Sequence, residues 1–268
     1  MNVGSRVLRI AAIGDLHCGK TSQGAYHALV SRINECADLL LICGDLLNYG
    51  LPEEATLLSR ELSPLKIPIV AVLGNHDLES GHEAEVIEIL TGGGMTLLDG
   101  SAFEFNGVGI AGVKGFIGGF DERSLQPWGE ETIKKLVREA VDEAIKLESA
   151  LASLRTLHRI AMLHYAPIRG TVEGEPLEIF PFMGSSRLEE PLNRYPVAAV
   201  FHGHAHRGSL EGRLKGDVPV YNVAMPLLAR SFPDRPPFRI FELTFPSAVE
   251  PAAGTPPPGL VTDTRPIQ

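Results

Sequence analysis

Residues 6–17 read RVLRIAAIGDLH: an apolar run that stops at Gly14, with a carboxylate and an imidazole directly behind it. Apolar on both faces, such a run suits a strand buried inside a sheet. The pattern recurs as ADLLLICGD (37–45), IPIVAVLGNHD (67–77), RIAMLHYAP (159–167) and VAAVFHGHAH (197–206). Between the early runs lie helical patterns, AYHALVSRINEC (25–36) and PEEATLLSREL (52–62), the second with Pro52 placed for a first turn. Strand and helix alternate, which predicts an α/β domain whose polar strand ends gather on one edge of a sheet.

Downstream the pattern loosens. MTLLDGSAFEFNGVGIAGVKGFIGG (95–119) reads as β-hairpins of a second sheet. Residues 130–157 give the strongest helix signal, with a stripe of Ile133, Val137, Ala140, Val141, Ala144, Ile145 and Leu151 facing a sheet. Residues 168–190 read as irregular, a lid beside the strand ends. The Pro-rich stretch 246–268 is expected to be a disordered tail, leaving 1–245 as one domain.

The bulk properties narrow the function classes. The 268 residues carry a net charge of −9, so there is no basic footprint for long nucleic acid, which is expected only as a substrate. Three cysteines (Cys18, Cys36 and Cys43) form no framework, which suits a reducing cytoplasm. No apolar run reaches the roughly 18–20 residues of a membrane span, and the first residues lack a signal peptide's cleavage pattern. The long helix and the loop after GNHD could build a homodimer interface.

The strand ends supply Asp15 and His17, Asp45, Asn75 and His76, His164, then His202, His204 and His206. Carboxylates, imidazoles and an amide oxygen form a mixed N/O donor set for first-row divalent metals. There are too many for one tetrahedral ion and enough for two ions sharing a carboxylate. The alternation in HGHAH leaves a tri-histidine zinc site open at this point.

In order, GDLHCG, GDLLNYG, GNHD, the histidine of LHYAP and GHAH resemble the motifs of the calcineurin-like metallophosphoesterase superfamily. The resemblance implies a two-sheet β-sandwich flanked by helices, in four layers. It implies that Asp15, His17 and His206 hold one ion, that Asn75, His164 and His204 hold a second, and that Asp45 bridges them. The ions would be Mn, Fe or Zn. His76 would lie over the scissile phosphate as the catalytic group, opposite a metal-bridging hydroxide. Asp77, Asn48, Arg207, His202 and Cys18 are candidates for substrate contact or for support behind the ligands. His82 and Arg169 fall in loops, and His27 and His158 on helical patterns, all four read as surface or satisfied residues.

The family's protein phosphatases carry GDxxDRG, and here Asn48, Tyr49 and Gly50 stand in that stretch, without its second Asp or its Arg. What remains is the small bacterial-type phosphodiesterase group, active on small diesters such as cyclic nucleotides. A phosphomonoesterase, nuclease or pyrophosphohydrolase of the same superfamily is the alternative. A non-catalytic scaffold, like the retromer subunit of this fold, is disfavoured because every ligand and the catalytic histidine are in place.

Overall fold

Alternation inside the apolar runs decides which layer each side chain joins. A computed structural model of the chain describes residues 5–246. In it β1 (Ser5–Ile13), α1 (His27–Cys36), β2 (Leu39–Cys43), α2 (Pro52–Leu62), β3 (Ile69–Val72), α3 (Glu83–Gly92) and β4 (Met95–Leu97) follow one another as strand and helix in turn. β5 (Ser101–Phe105), β6 (Val108–Val113), α4 (Glu131–Ser153) and β7 (His158–Leu163) come next. After α5 (Phe180–Met183) and α6 (Glu189–Arg194), the chain forms β8 (Ala199–His202), β9 (Glu211–Arg213), β10 (Pro219–Asn222), α7 (Met225–Ser231) and β11 (Arg239–Pro246).

Two sheets result, of order β11-β1-β2-β3-β4 and β5-β6-β7-β8-β10-β9. β1 to β4 run parallel with β11 reversed, and β6, β7, β8 and β10 run parallel with β5 and β9 reversed. Leu39, Leu41, Val70 and Val72 turn inward against Ile110, Ile160, Met162 and Phe201 of the facing sheet. Leu40, Ile42 and Ala71 turn outward onto α1, α2 and α3 through Ile33, Leu58 and Leu90. On the far side Ala111, Ala161 and Val200 meet Leu147 and Leu151 of α4. The layers are helix, sheet, sheet, helix, which is the four-layer sandwich the motifs implied.

Three readings need correction. Residues 95–97 do not open a hairpin; they form β4, which pairs parallel with β3 and completes the first sheet, and only β5 and β6 make the antiparallel pair. His158 begins β7 instead of lying on a helix. In α4 the buried side runs through Val137, Ala140, Glu143, Leu147, Ala150 and Leu151, while Val141 and Ile145 are exposed. The stripe slips because it counts only apolar residues: Glu143 lies on the buried face, accepting from Gly115 N (2.7 Å) and pairing with Lys146 (2.8 Å). Residues 168–190 are a series of short helical turns. The Pro-rich tail, beyond Pro246, falls outside the described residues.

These assignments predict a sharp contrast in chemical denaturation. Phe201→Ala, at the centre of the sandwich, should lower unfolding free energy by about 3–5 kcal/mol. Val141→Ala, on the exposed side of α4, should change it by less than about 0.5 kcal/mol.

Candidate metal centre

Because β1, β2, β3, β7 and β8 all run parallel within their sheets, their carboxyl ends open on one rim. The two sheets are laced together there. Gly14 N donates to Val223 O (2.9 Å) from one sheet to the other, while Asp15 N donates to Gly44 O (2.9 Å) within the first sheet's rim and Gly203 N to His164 O (3.1 Å) within the second's. The approach is close enough to exclude side chains. Gly44 has φ +81°, and a Cβ on it would lie 2.4 Å from His164 Nδ1. A Cβ on Gly203 would lie 2.4 Å from Asp15 Oδ2. Asp15, His17, Asp45 and His204 all hold a left-handed backbone, with φ between 45° and 69°. Such strain in residues with a Cβ persists only where the surroundings fix it, and it concentrates at functional sites.

Among the described residues, three groups of potential ligands are formed: Asp15, His17 and His206; His17, Asp45 and His76; and Asp45, His164 and His204. Within each, the ligand atoms lie within 4.8 Å of one another. Asp45 stands in two of the three and is buried, as is Asp15. Asn75 joins the last group, its Oδ1 lying 3.0 Å from His164 Nε2.

The hydrogen bonds show what this set is built to hold. Burial pushes His164 down to about 3, so the ring is neutral with one N–H. That hydrogen belongs on Nδ1, which faces the carbonyl of Cys43 at 3.0 Å. The Nε2 lone pair then faces Asn75 Oδ1 at 3.0 Å and Asp45 Oδ1 at 3.4 Å. His204 is also held neutral, pushed down to about 3 by burial, with Nε2–H donating to the carbonyl of Phe182 (3.1 Å). Its Nδ1 is left free as a potential ligand atom. His17, lowered to about 4 by burial, sets its Nε2 against His206 Nε2 at 3.5 Å. At His164 Nε2, Asn75 Oδ1 and Asp45 Oδ1 lone pairs converge with no hydrogen between them, and a divalent cation fits that arrangement. Burial lifts Asp15 to about 6, against the pull of its 3.0 Å bond to His206, whose imidazolium that bond favours.

His76 packs edge-on against His17, ring centroids 4.7 Å apart. Its Nδ1 donates to the carbonyl of Asn48 (2.8 Å), with Glu79 at 3.4 Å, so Nε2 is the free nitrogen. Its backbone N–H donates to Asp45 Oδ1 at 2.9 Å. Asp77 is fully buried and turned away from the metal-ligand groups. It accepts from Gly74 N (2.7 Å), Leu47 N (2.8 Å) and Leu46 N (3.2 Å), tying two ligand-bearing loops together.

The remaining candidates fall outside the clusters. Both nitrogens of His202 are engaged, by the Gly203 carbonyl and by Thr171 Oγ1, each at 2.8 Å. Cys18 is buried in the first-sheet core, its thiol pushed up to about 11 by burial. Arg207 is exposed and uses its backbone N–H on Glu175 (2.6 Å). Sequence reasoning did not single out Glu79, Thr171 or the Phe182 carbonyl. The first two are polar residues with no motif spacing, and a carbonyl has no sequence signature at all.

Comparison with known proteins gives a family model, described as calcineurin-like phosphoesterase, that matches residues 8–208. A curated relative, a "Probable cyclic nucleotide phosphodiesterase" of Vesicomyosocius okutanii subsp. Calyptogena okutanii (strain HA), is 26% identical over 190 residues, 69% of this chain and 70% of that one. Among solved structures, phosphopantetheinyl hydrolase from Mycobacterium tuberculosis aligns with TM-score 0.60 and 14% identity, covering 92% of this chain and 98% of that one. TT1561 of Thermus thermophilus aligns with TM-score 0.52 and 17% identity, covering 84% and 92%. At these identities the structural likeness is one of fold. Among the described residues, no helix is long and apolar enough to cross a membrane.

The titrations predict how the metal-free protein responds to acid. His17, His164, His202 and His204, held at about 3 to 4 by burial against an ordinary 6.5, bind fewer protons folded than unfolded. They therefore add stability as pH rises through that window. Asp15 and Asp77, lifted by burial to about 6 and about 7 from 3.8, act in the opposite sense. The four imidazoles outweigh the two carboxyls. With a chelator present, the thermal midpoint should climb between about pH 4 and pH 6. Adding Mn at neutral pH should raise it further, since binding to the folded state alone stabilises it.

Proposed function

The chain belongs to the calcineurin-like phosphoesterase family, a metal-dependent phosphoesterase, and from that premise we propose that it hydrolyses small phosphodiesters at a dinuclear centre. The observation that carries this reading is Asp45, one buried carboxylate common to two ligand groups. Asp15, His17 and His206 would hold one ion and Asn75, His164 and His204 the other, with Asp45 shared. Mn, Fe and Zn all suit such N/O donors. When bound, two such ions acidify a coordinated water and neutralise the phosphoryl oxygens.

The chain's own residues supply the rest. With Nδ1 committed to the Asn48 carbonyl, His76 exchanges protons only through Nε2. An imidazolium there can hand its proton to the departing ester oxygen, which is general-acid work. Asp45 fixes where that ring stands by accepting the His76 backbone N–H. The relative named as a probable cyclic nucleotide phosphodiesterase supports the choice of diesters over monoesters, with cyclic nucleotides among the substrates to try.

Mn-loaded protein is expected to hydrolyse bis-p-nitrophenyl phosphate faster than p-nitrophenyl phosphate. His76→Ala should retain its metal, measured by elemental analysis, while kcat falls about 10²–10⁴-fold. Asp45→Ala should lose both metal and activity. Wild-type rates in either variant would remove the mechanism.

A further inference from the structure

Beside the metal centre, between the first turns of α3 and the middle of α4, lies a cleft of about 640 Å³. Leu73, Leu78, Ile87, Leu97, Leu98 and Phe116 form its apolar surface, and charged side chains, Glu83 and Glu139 among them, stand around that surface. The volume lies in the range of small-molecule sites.

The cleft and the centre share structure. Leu73 and Leu78 bracket the Gly74–Asp77 turn that carries Asn75 and His76. Lys114, at the cleft's edge, uses its carbonyl to accept from His164 N (3.0 Å) and Tyr165 N (3.1 Å). Phe116 meets Tyr165 edge-on at 6.1 Å, and Tyr165 leans on His204 at 4.6 Å between centroids. One ring therefore separates the cleft wall from a ligand of the centre.

The charges at the cleft are not alike. Lys146 is neutralised by Asp99 (3.0 Å) and Glu143 (2.8 Å). The Lys114 ammonium donates to the carbonyl of Gly115 (3.0 Å), its only hydrogen bond among the described residues, and lies over the rings of Phe116 and Tyr165. A half-satisfied ammonium over Tyr165, the ring that leans on His204, can donate to an uncharged acceptor on a ligand. The apolar part of the wall offers aliphatic surface and a single aromatic edge, which favours a chain over a stacked planar base.

We propose that this cleft is the subsite for one ester group of the diester, and that this group is an extended aliphatic chain with a hydrogen-bond acceptor near Lys114. The inference rests on the phosphodiesterase reading and narrows its substrate class to lipophilic alcohols. The ester group would lie in the cleft while its phosphate sits over the donor set.

The test uses p-nitrophenyl methyl, butyl and hexyl phosphates with metal-loaded enzyme. Each methylene buried adds about fourfold in binding at full burial. The hexyl ester should therefore exceed the methyl ester in kcat/KM by about thirtyfold or more, allowing for partial burial. Ile87→Trp and Leu97→Trp, which fill the cleft from two sides, should bring that ratio close to one. Because the ratio is taken within each variant, any loss of folded enzyme cancels. A flat series in the wild type overturns the inference while leaving the phosphodiesterase reading intact. A steep series unchanged in both tryptophan variants also overturns it, placing the chain elsewhere. Failure of the wild type on all three esters overturns the phosphodiesterase reading and this inference together.

Discussion

Acceptor lone pairs that face one another inside a protein are held there only by a proton or by a cation. At the rim of this sandwich, His164 Nε2, Asn75 Oδ1 and the Asp45 carboxylate converge within hydrogen-bonding distance or slightly beyond. Burial has stripped the imidazole of its second proton. The cost of that convergence is of the kind that makes isolated buried charge so unfavourable. It is tolerable when a divalent ion completes the set, and the rest of the molecule is arranged to keep the set in place. The carbonyls of Cys43 and Phe182 choose which nitrogen of His164 and of His204 remains free. In this way the backbone decides which nitrogen of each ring could serve a metal.

Holding five strand ends against one another strains the chain, and the compensation is local. Asp15, His17, Asp45 and His204 take left-handed backbones that residues with a Cβ disfavour. Asp77 answers part of this by gathering three backbone N–H groups from the two loops that present Asp45 and Asn75. Its charge sits buried beside Asp45, which is why its carboxyl is lifted to about 7. His202 does similar work on the other sheet. It pins the Gly203 carbonyl and Thr171, so the turn carrying His204 and His206 is tied to the segment that supplies the Phe182 carbonyl.

The legible part of this structure is the part that depends on residue identity. A buried strand must be apolar on both faces, and a ligand must be Asp, Asn or His, so RVLRIAAIGDLH and its four echoes point to both the sandwich and the donor set. What escapes depends on geometry that residue type does not encode. Met95–Leu97 is too short to show whether it folds back or extends a distant sheet. The α4 stripe misleads because Glu143 is buried through an N–H and a lysine that no helical periodicity registers. The three imidazoles of HGHAH look equivalent in sequence. In space the strand stops at His202 and the chain turns left-handed at His204, so the three rings have separate partners.

Where the GDxxDRG motif would place a second Asp, this chain supports His76 differently. In place of a dedicated carboxylate, the Nδ1 of His76 meets a backbone carbonyl, with Glu79 one helical turn further along. A carbonyl orients the ring as firmly as a carboxylate, because it accepts the same hydrogen. It brings no full charge, however, and the nearest carboxylate, Glu79 at 3.4 Å, is half exposed and screened by water. The carbonyl belongs to Asn48, and the next turn of that loop is fixed by Glu54, which accepts from Tyr49 N (2.8 Å) and Leu51 N (3.3 Å). Placement of the His76 ring thus rests on the cap of α2, a feature of helix formation that precedes any chemistry.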